Sequence, residues 1–321
     1  MMGYFENAFN GKNHWWRYIV VILVTFIGYT IGQIPLMLSL WRSVNEENSE
    51  LGMADIENFQ SNPDFSVFGI NSNMGFTLLL VMFIGALTAF YFIFKPMHGR
   101  EFRSLITSGS RINWNKIFFA FSVWLSLSLV VEVVSYFMDP ASYSFHFQFN
   151  TFIPLVIISL LILPIQTSME ELLFRGYLMQ GIAVGTKSRL IPLIITSILF
   201  GFIHSMNPEI QEFGFVTMQV YYISAGLLLG ILTIMDDSLE LALGVHAATN
   251  IVGAVFVGYE GAAIQTDSLF KANEINPVFM TAGFILVSLV FILLMKYKYN
   301  WGSFKRILEP VNKIDDTVVM H

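Results

Sequence analysis

The sequence predicts an all-α membrane protein, a polytopic bundle of about eight transmembrane helices. Three observations carry that prediction. Of the 321 residues, 55% are apolar and only 12% charged, whereas a soluble domain carries about 25% charged residues. The mean hydropathy is +0.63. The apolar residues gather into runs close to the ~20 residues that a membrane-spanning helix needs. Polar and turn-forming residues fall between the runs, with no internal repeat, low-complexity tract or soluble domain among them.

In chain order the first run covers 18–40 and follows Lys12, His14 and Arg17, as the core of a signal sequence would. It is too long for such a core and lacks a small-x-small cleavage site, so it reads as a retained helix. Trp15 and Trp16 before it, and Trp301 after the last run, read as interface anchors. The second and third runs are 74–94 and 115–137. The fourth, 151–183, is long and contains Pro154 and Pro164, so it either starts outside the hydrocarbon or kinks at Pro164. The fifth, 189–205, is short, and the last three are 217–235, 238–257 and 277–296. This parses the chain into an N-terminal segment 1–150 with three helices, a central segment 151–260 with four, and a final segment 261–321.

Lysine and arginine set the orientation. Lys12, Arg17, Lys95, Arg100, Arg103, Arg111, Lys116, Lys187, Arg189, Lys296, Lys298, Lys305 and Arg306 lie on one set of ends, which is read as cytoplasmic with both termini. The loop between the first two runs is acidic, with Glu46, Glu47, Glu50, Asp55, Glu57 and Asp64, and is read as external. Absences narrow the chemistry. The chain has no cysteine, which removes disulfides, thiolate metal sites and a cysteine nucleophile. There is no His-Glu-x-x-His, no Gly-x-Ser-x-Gly beside a buried histidine and no phosphate-cradling loop. The expected partners are the lipid bilayer and a peptide or membrane-protein substrate, with no nucleic acid.

The fourth run carries charges where a lipid-facing helix should have none: Gln166-Thr-Ser-Met-Glu170-Glu171-Leu-Leu-Phe-Arg175. An ionised group at mid-membrane costs at least ~3 kcal/mol, so these residues are functional candidates. Glu171 and Arg175, four apart, share a helix face and can pair, which leaves Glu170 free. The stretch reads either as chemistry or as a buried salt bridge that ties helices together. Gln166, Gln180 and Gln219 read as interhelical hydrogen-bonding residues. Only two of the six histidines fall in apolar runs, His204 and His246; His14, His98, His146 and His321 read as solvated. Phe200 lies one turn before His204. His246 and Asn250 share a face with small residues between them, and such a pair can donate two hydrogen bonds to a developing oxyanion. At about 1.5 Å per residue, Glu170 and His204 come level, roughly 24 and 22 Å from the cytoplasmic helix ends, but His246 comes out at only about 12 Å.

Glu170-Glu171-x-x-x-Arg175, Phe200-x-x-x-His204 and His246-x-x-x-Asn250, in that order on separate runs, resemble the motifs of the CAAX prenyl endopeptidase and bacteriocin-processing or immunity (CPBP, or Abi) family. The resemblance covers about 166–252. It implies a CAAX-protease-like bundle of eight helices with its catalytic core in 151–260. It implies an intramembrane endopeptidase in which Glu170 and His204 activate water and His246 and Asn250 stabilise the oxyanion. Glu171, Arg175 and Phe200 support them. A glutamate-type mechanism is implied; zinc held by Glu170, His204 and His246 is the metal alternative. A non-catalytic immunity or scaffold protein of the same family is the functional alternative. The short chain and basic cytoplasmic face imply a bacterial cell membrane.

Overall fold

The computed structural model describes residues 3–47, 49–61 and 63–313. Eight apolar helices follow one another: α1 (Trp15–Val44), α2 (Ser72–His98), α3 (Trp114–Met138), α4 (Phe149–Thr186), α5 (Leu190–Ile203), α6 (Phe215–Asp236), α7 (Glu240–Phe256) and α8 (Pro277–Lys298). Six are long and apolar enough to cross a membrane; α5 and α7 are shorter. The protein is therefore a polytopic helical membrane protein, and the eight expected spans resolve into six of full length and two short ones. The short helices are stopped by local chemistry. α5 ends before Asn207-Pro208, where proline biases the preceding residue toward extended backbone. α7 begins just after Asp237, which turns the chain with φ of 56°.

The kink expected in α4 falls at Ile162, between the segments Phe149–Leu161 and Leu163–Glu171, with Pro164 in the first turn of the second. Proline offers no N–H to the preceding turn, so the helix breaks where the ring enters. A wider π-helical turn, Leu172–Leu178, follows at once and carries Arg175. Such turns insert one extra residue and re-aim the side chains beyond them.

Small residues bring the helices together. A Cβ at Gly28 of α1 would lie 2.4 Å from Ala89 Cβ of α2, and one at Gly85 would lie 2.3 Å from the Gly28 carbonyl oxygen. Gly244 brings α7 onto α3 in the same way, since a Cβ there would lie 2.3 Å from the carbonyl oxygen of Ile117. Close backbone approach of this kind is how helices gain dispersion energy in lipid.

The connections gather at two ends. At one end Lys12 N–H donates to the His98 carbonyl, Leu239 N–H to Ile106 and Val311 N–H to Lys187, while Glu6 pairs with Arg189 at 2.5 Å. Tyr4 and Phe5 are fully buried there. This segment corrects one reading of the sequence: His98 is not solvated but buried, with Nδ1 against the Lys12 carbonyl at 2.9 Å and Nε2 against the Tyr177 hydroxyl at 2.8 Å. Its position at the end of α2 leaves it open only until the N-terminal segment folds over it. His14 and His146 are exposed, and His321 lies outside the described residues. At the other end a three-stranded sheet of order β1-β3-β2 joins β1 (Tyr143–Phe145), β2 (Val257–Tyr259) and β3 (Phe270–Ala272). β1 runs antiparallel and β2 parallel to β3.

Candidate active site

The site forms where α4, α5 and α7 meet. Arg175 and Glu171 make the i,i+4 pair read from the sequence: Arg175 Nη1 donates to Glu171 Oε1 at 2.6 Å, and both side chains are fully buried. Arg175 also reaches the Gly226 carbonyl of α6 at 3.3 Å and lies over the Phe200 ring, 4.3 Å from its centre. It thus ties α4 to α5 and α6 at once. Leaving either partner of such a pair alone in a dry interior costs several kcal/mol.

Glu171 has a second partner. His246 of α7 places Nδ1 2.8 Å from Glu171 Oε1. A carboxylate only accepts, so Nδ1 carries the proton and the ring is held with Nε2 turned outward. Nε2 then lies 3.8 Å from Glu170 Oε2. His246 therefore stands between the two adjacent glutamates. His246 reaches both glutamates despite the shallower position expected for it. Glu240, at the first turn of α7, is buried, accepts the Asn113 N–H at 2.7 Å and lies 3.5 Å from Lys116 Nζ.

His204 caps the far end of α5. Its Nδ1 lies 2.6 Å from the Phe200 carbonyl, which can only accept, so Nδ1 donates and Nε2 is a bare acceptor. The imidazole is held between rings, with Phe200 at 4.6 Å and Tyr222 of α6 stacked at 4.3 Å. Phe200 also meets the His246 ring edge-to-face at 5.9 Å, so one phenyl group braces both imidazoles.

Glu170 and Asn250 are joined through Gln166. The Gln166 amide N donates to Glu170 Oε1, and Asn250 Nδ2 donates to Gln166 Oε1 at 3.0 Å. Glu170 Oε2 is buried and accepts no hydrogen bond from the described residues. Every residue proposed from sequence for the site thus falls in one region: Glu170, Glu171 and Arg175 on α4, Phe200 and His204 on α5, His246 and Asn250 on α7. The sequence reading gave Gln166 only a general interhelical role and did not single out Tyr222. Gln166 lies one turn before Glu170 on the same face, a signal that could have marked it. Tyr222 had no such signal, because its pairing with His204 exists only in three dimensions.

Zinc finds no ready ligand set. Among the described residues no group of three His, Cys, Asp or Glu side chains is arranged to hold a metal ion. His204 Nδ1 is given to the Phe200 carbonyl, His246 Nδ1 to Glu171 and Glu170 Oε1 to Gln166, which leaves the two Nε2 atoms and Glu170 Oε2 as the atoms a metal would have to draw on.

Two acidic, two imidazole and two carboxamide side chains thus gather inside the bundle of this polytopic helical protein. The comparisons fix the class: residues 149–252 match the family described as type II CAAX prenyl endopeptidase Rce1-like, and the chain belongs to that family. It is 32% identical over 292 residues to "Uncharacterized protein YyaK" of Bacillus subtilis (strain 168), covering 90% of this chain and 94% of that protein. No solved structure matches it.

Proposed function

We propose that this protein is an intramembrane endopeptidase that hydrolyses a peptide bond in a peptide or membrane-associated protein. It acts in a bacterial cell membrane with both termini on the cytoplasmic side. The observation that carries this reading is the meeting of Glu170, His204, His246 and Asn250, from three helices, with Glu170 Oε2 buried and free of protein donors.

The hydrogen-bond pattern supports a division of roles among these groups. Glu170 Oε2 and His204 Nε2 are both acceptors, so together they can draw a proton from water as it attacks the scissile carbonyl. Asn250 Nδ2 has a second N–H beyond the one given to Gln166. His246, when protonated at both nitrogens, offers Nε2–H beside it. These two donors suit the oxyanion of the tetrahedral intermediate, and fixed donors in a dry site need no reorganisation as charge develops. The proton taken from water then passes to the departing amide nitrogen as the C–N bond breaks. Glu171 and Arg175 hold His246 in place and take no proton.

The test is Glu170→Gln, which keeps the volume and the contact with Gln166. Purified in detergent micelles, the variant is expected to unfold at the native midpoint and to lose at least ~100-fold in cleavage of an internally quenched peptide library, the lower bound of the range for a general base. Cleavage at the native rate would instead favour the non-catalytic immunity or scaffold reading.

A further inference from the structure

The carboxamide of Gln166 lies between two residues of the proposed catalytic set and touches both. It sits on α4 one turn before Glu170 and is 8% exposed. Its orientation is fixed by elementary hydrogen-bond logic. The Glu170 carboxylate can only accept, so Gln166 must turn its NH2 toward it. That leaves the Gln166 oxygen facing α7, where Asn250 must present its own NH2, at 3.0 Å. One ionised carboxylate thereby sets the sense of two amide groups in series.

We propose that Gln166 is a positioning residue for both halves of the site, a role that rests on the endopeptidase reading. It ties down Glu170 Oε1 and so aims Oε2 toward His246, 3.8 Å away. It also fixes Asn250 with NH2 on the side of Glu170, so that the second N–H faces the space where an oxyanion would form. Without Gln166 the carboxylate can rotate about its terminal torsion, and the Asn250 amide can flip to present oxygen where a donor is needed. Both faults misplace groups that act on the transition state, while substrate binding is left alone.

The experiment compares Gln166→Met and Gln166→Glu with the native protein in micelles, using one peptide chosen from an internally quenched library by the native enzyme. Methionine fills the volume and makes no such bond. It is expected to lower kcat by on the order of 10- to 100-fold with KM unchanged, the size of effect that small misplacements produce. Glutamate is isosteric and, when protonated, again donates to Glu170 and accepts from Asn250. It is expected to work only where the two carboxyls hold a proton between them, so its pH–rate profile falls on the alkaline side before the native profile does. Acid rescue of this kind supports the proposal whatever Gln166→Met does to the unfolding midpoint. The proposal is overturned if Gln166→Met keeps the native kcat/KM. It is overturned equally if both variants lose the same activity at every pH, which marks packing alone. Glu170→Gln, run beside them, separates the two levels. If it cleaves like the native protein, or if the native protein cleaves nothing in the library, the endopeptidase reading itself has failed. If it is dead while Gln166→Met is native, only the role of Gln166 has.

Discussion

At the scale of single residues the site is a chain of groups each holding the next. Arg175 is the innermost, with a fully buried side chain bonded to Glu171 and to the Gly226 carbonyl. Arg175→Met should destabilise the protein by about 3–5 kcal/mol, because Glu171 is left ionised without its cation. The double variant Arg175→Met with Glu171→Gln should recover most of that loss, since no charge is then stranded. A thermal-unfolding cycle in micelles measures both; equal stability of Arg175→Met and native protein would mean that the pair contributes nothing. The Glu171–Arg175 pair was legible in the sequence because four residues is one helical turn and needs no tertiary knowledge. His246 was legible as a candidate, but its bond to Glu171 was not, since the two are 75 residues apart in the chain. His98 was misjudged for the same reason: its burial comes from Lys12 and Tyr177, contacts that no local pattern announces.

At the scale of elements, two devices position the site. The first is the crossing of α7 on α3 at Gly244, two residues before His246. Gly244→Val has no room for its side chain against the Ile117 carbonyl. It should cost about 1–3 kcal/mol and reduce cleavage with it, because any shift of α7 carries His246 and Asn250 away from Glu170. Unfolding and peptide cleavage, measured on one preparation, check this; native values for both would show that the crossing is slack. The second device is the cover at the end nearest His204, where Glu209 of the short helix Pro208–Phe213 accepts the Ala263 N–H at 2.7 Å. Burial raises the Glu209 pKa above the ordinary carboxylate value, while the Ala263 N–H acts in the opposite sense. A raised acid binds its proton more tightly folded than unfolded. The folded cover is therefore favoured at low pH and loses stability as pH rises through the unfolded and then the raised folded value. Glu209→Gln keeps the acceptor and removes the charge. Hydrogen-exchange protection at the Ala263 amide should exceed native protection at neutral pH. The two should converge below about pH 4, where the unfolded carboxyl is also protonated. All eight apolar helices were legible in the sequence, α7 included, but the short helix Pro208–Phe213 and the π-helical turn in α4 were not. The π-helical turn continues the apolar run of α4, so hydrophobic pattern alone does not mark it.

At the scale of the whole molecule the two ends differ in charge and in closure. The end that gathers the N-terminal segment, the 99–113 loop and residues 299–311 holds nearly all the lysine and arginine outside the helices. It is also packed shut: the Tyr4 hydroxyl reaches the Leu105 carbonyl at 2.5 Å and the Arg175 carbonyl at 3.3 Å, so a buried ring lies beneath the Glu171–Arg175 pair. His204 sits at the opposite end of α5, next to the acidic end of the bundle. If basic loops stay in the cytoplasm, as they do for short connections, peptide would meet Glu170 from the outer side. The orientation is directly measurable because the chain has no cysteine of its own, so each introduced thiol reports alone. Ala54→Cys, on the short helix Met53–Ser61, and Asn312→Cys, after the last helix, are both at exposed positions. A membrane-impermeant maleimide added to intact cells should label Ala54→Cys and spare Asn312→Cys until the membrane is permeabilised. The reverse pattern would place the basic loops and both termini outside. Peptide would then reach Glu170 from the cytoplasm, past the acidic loops.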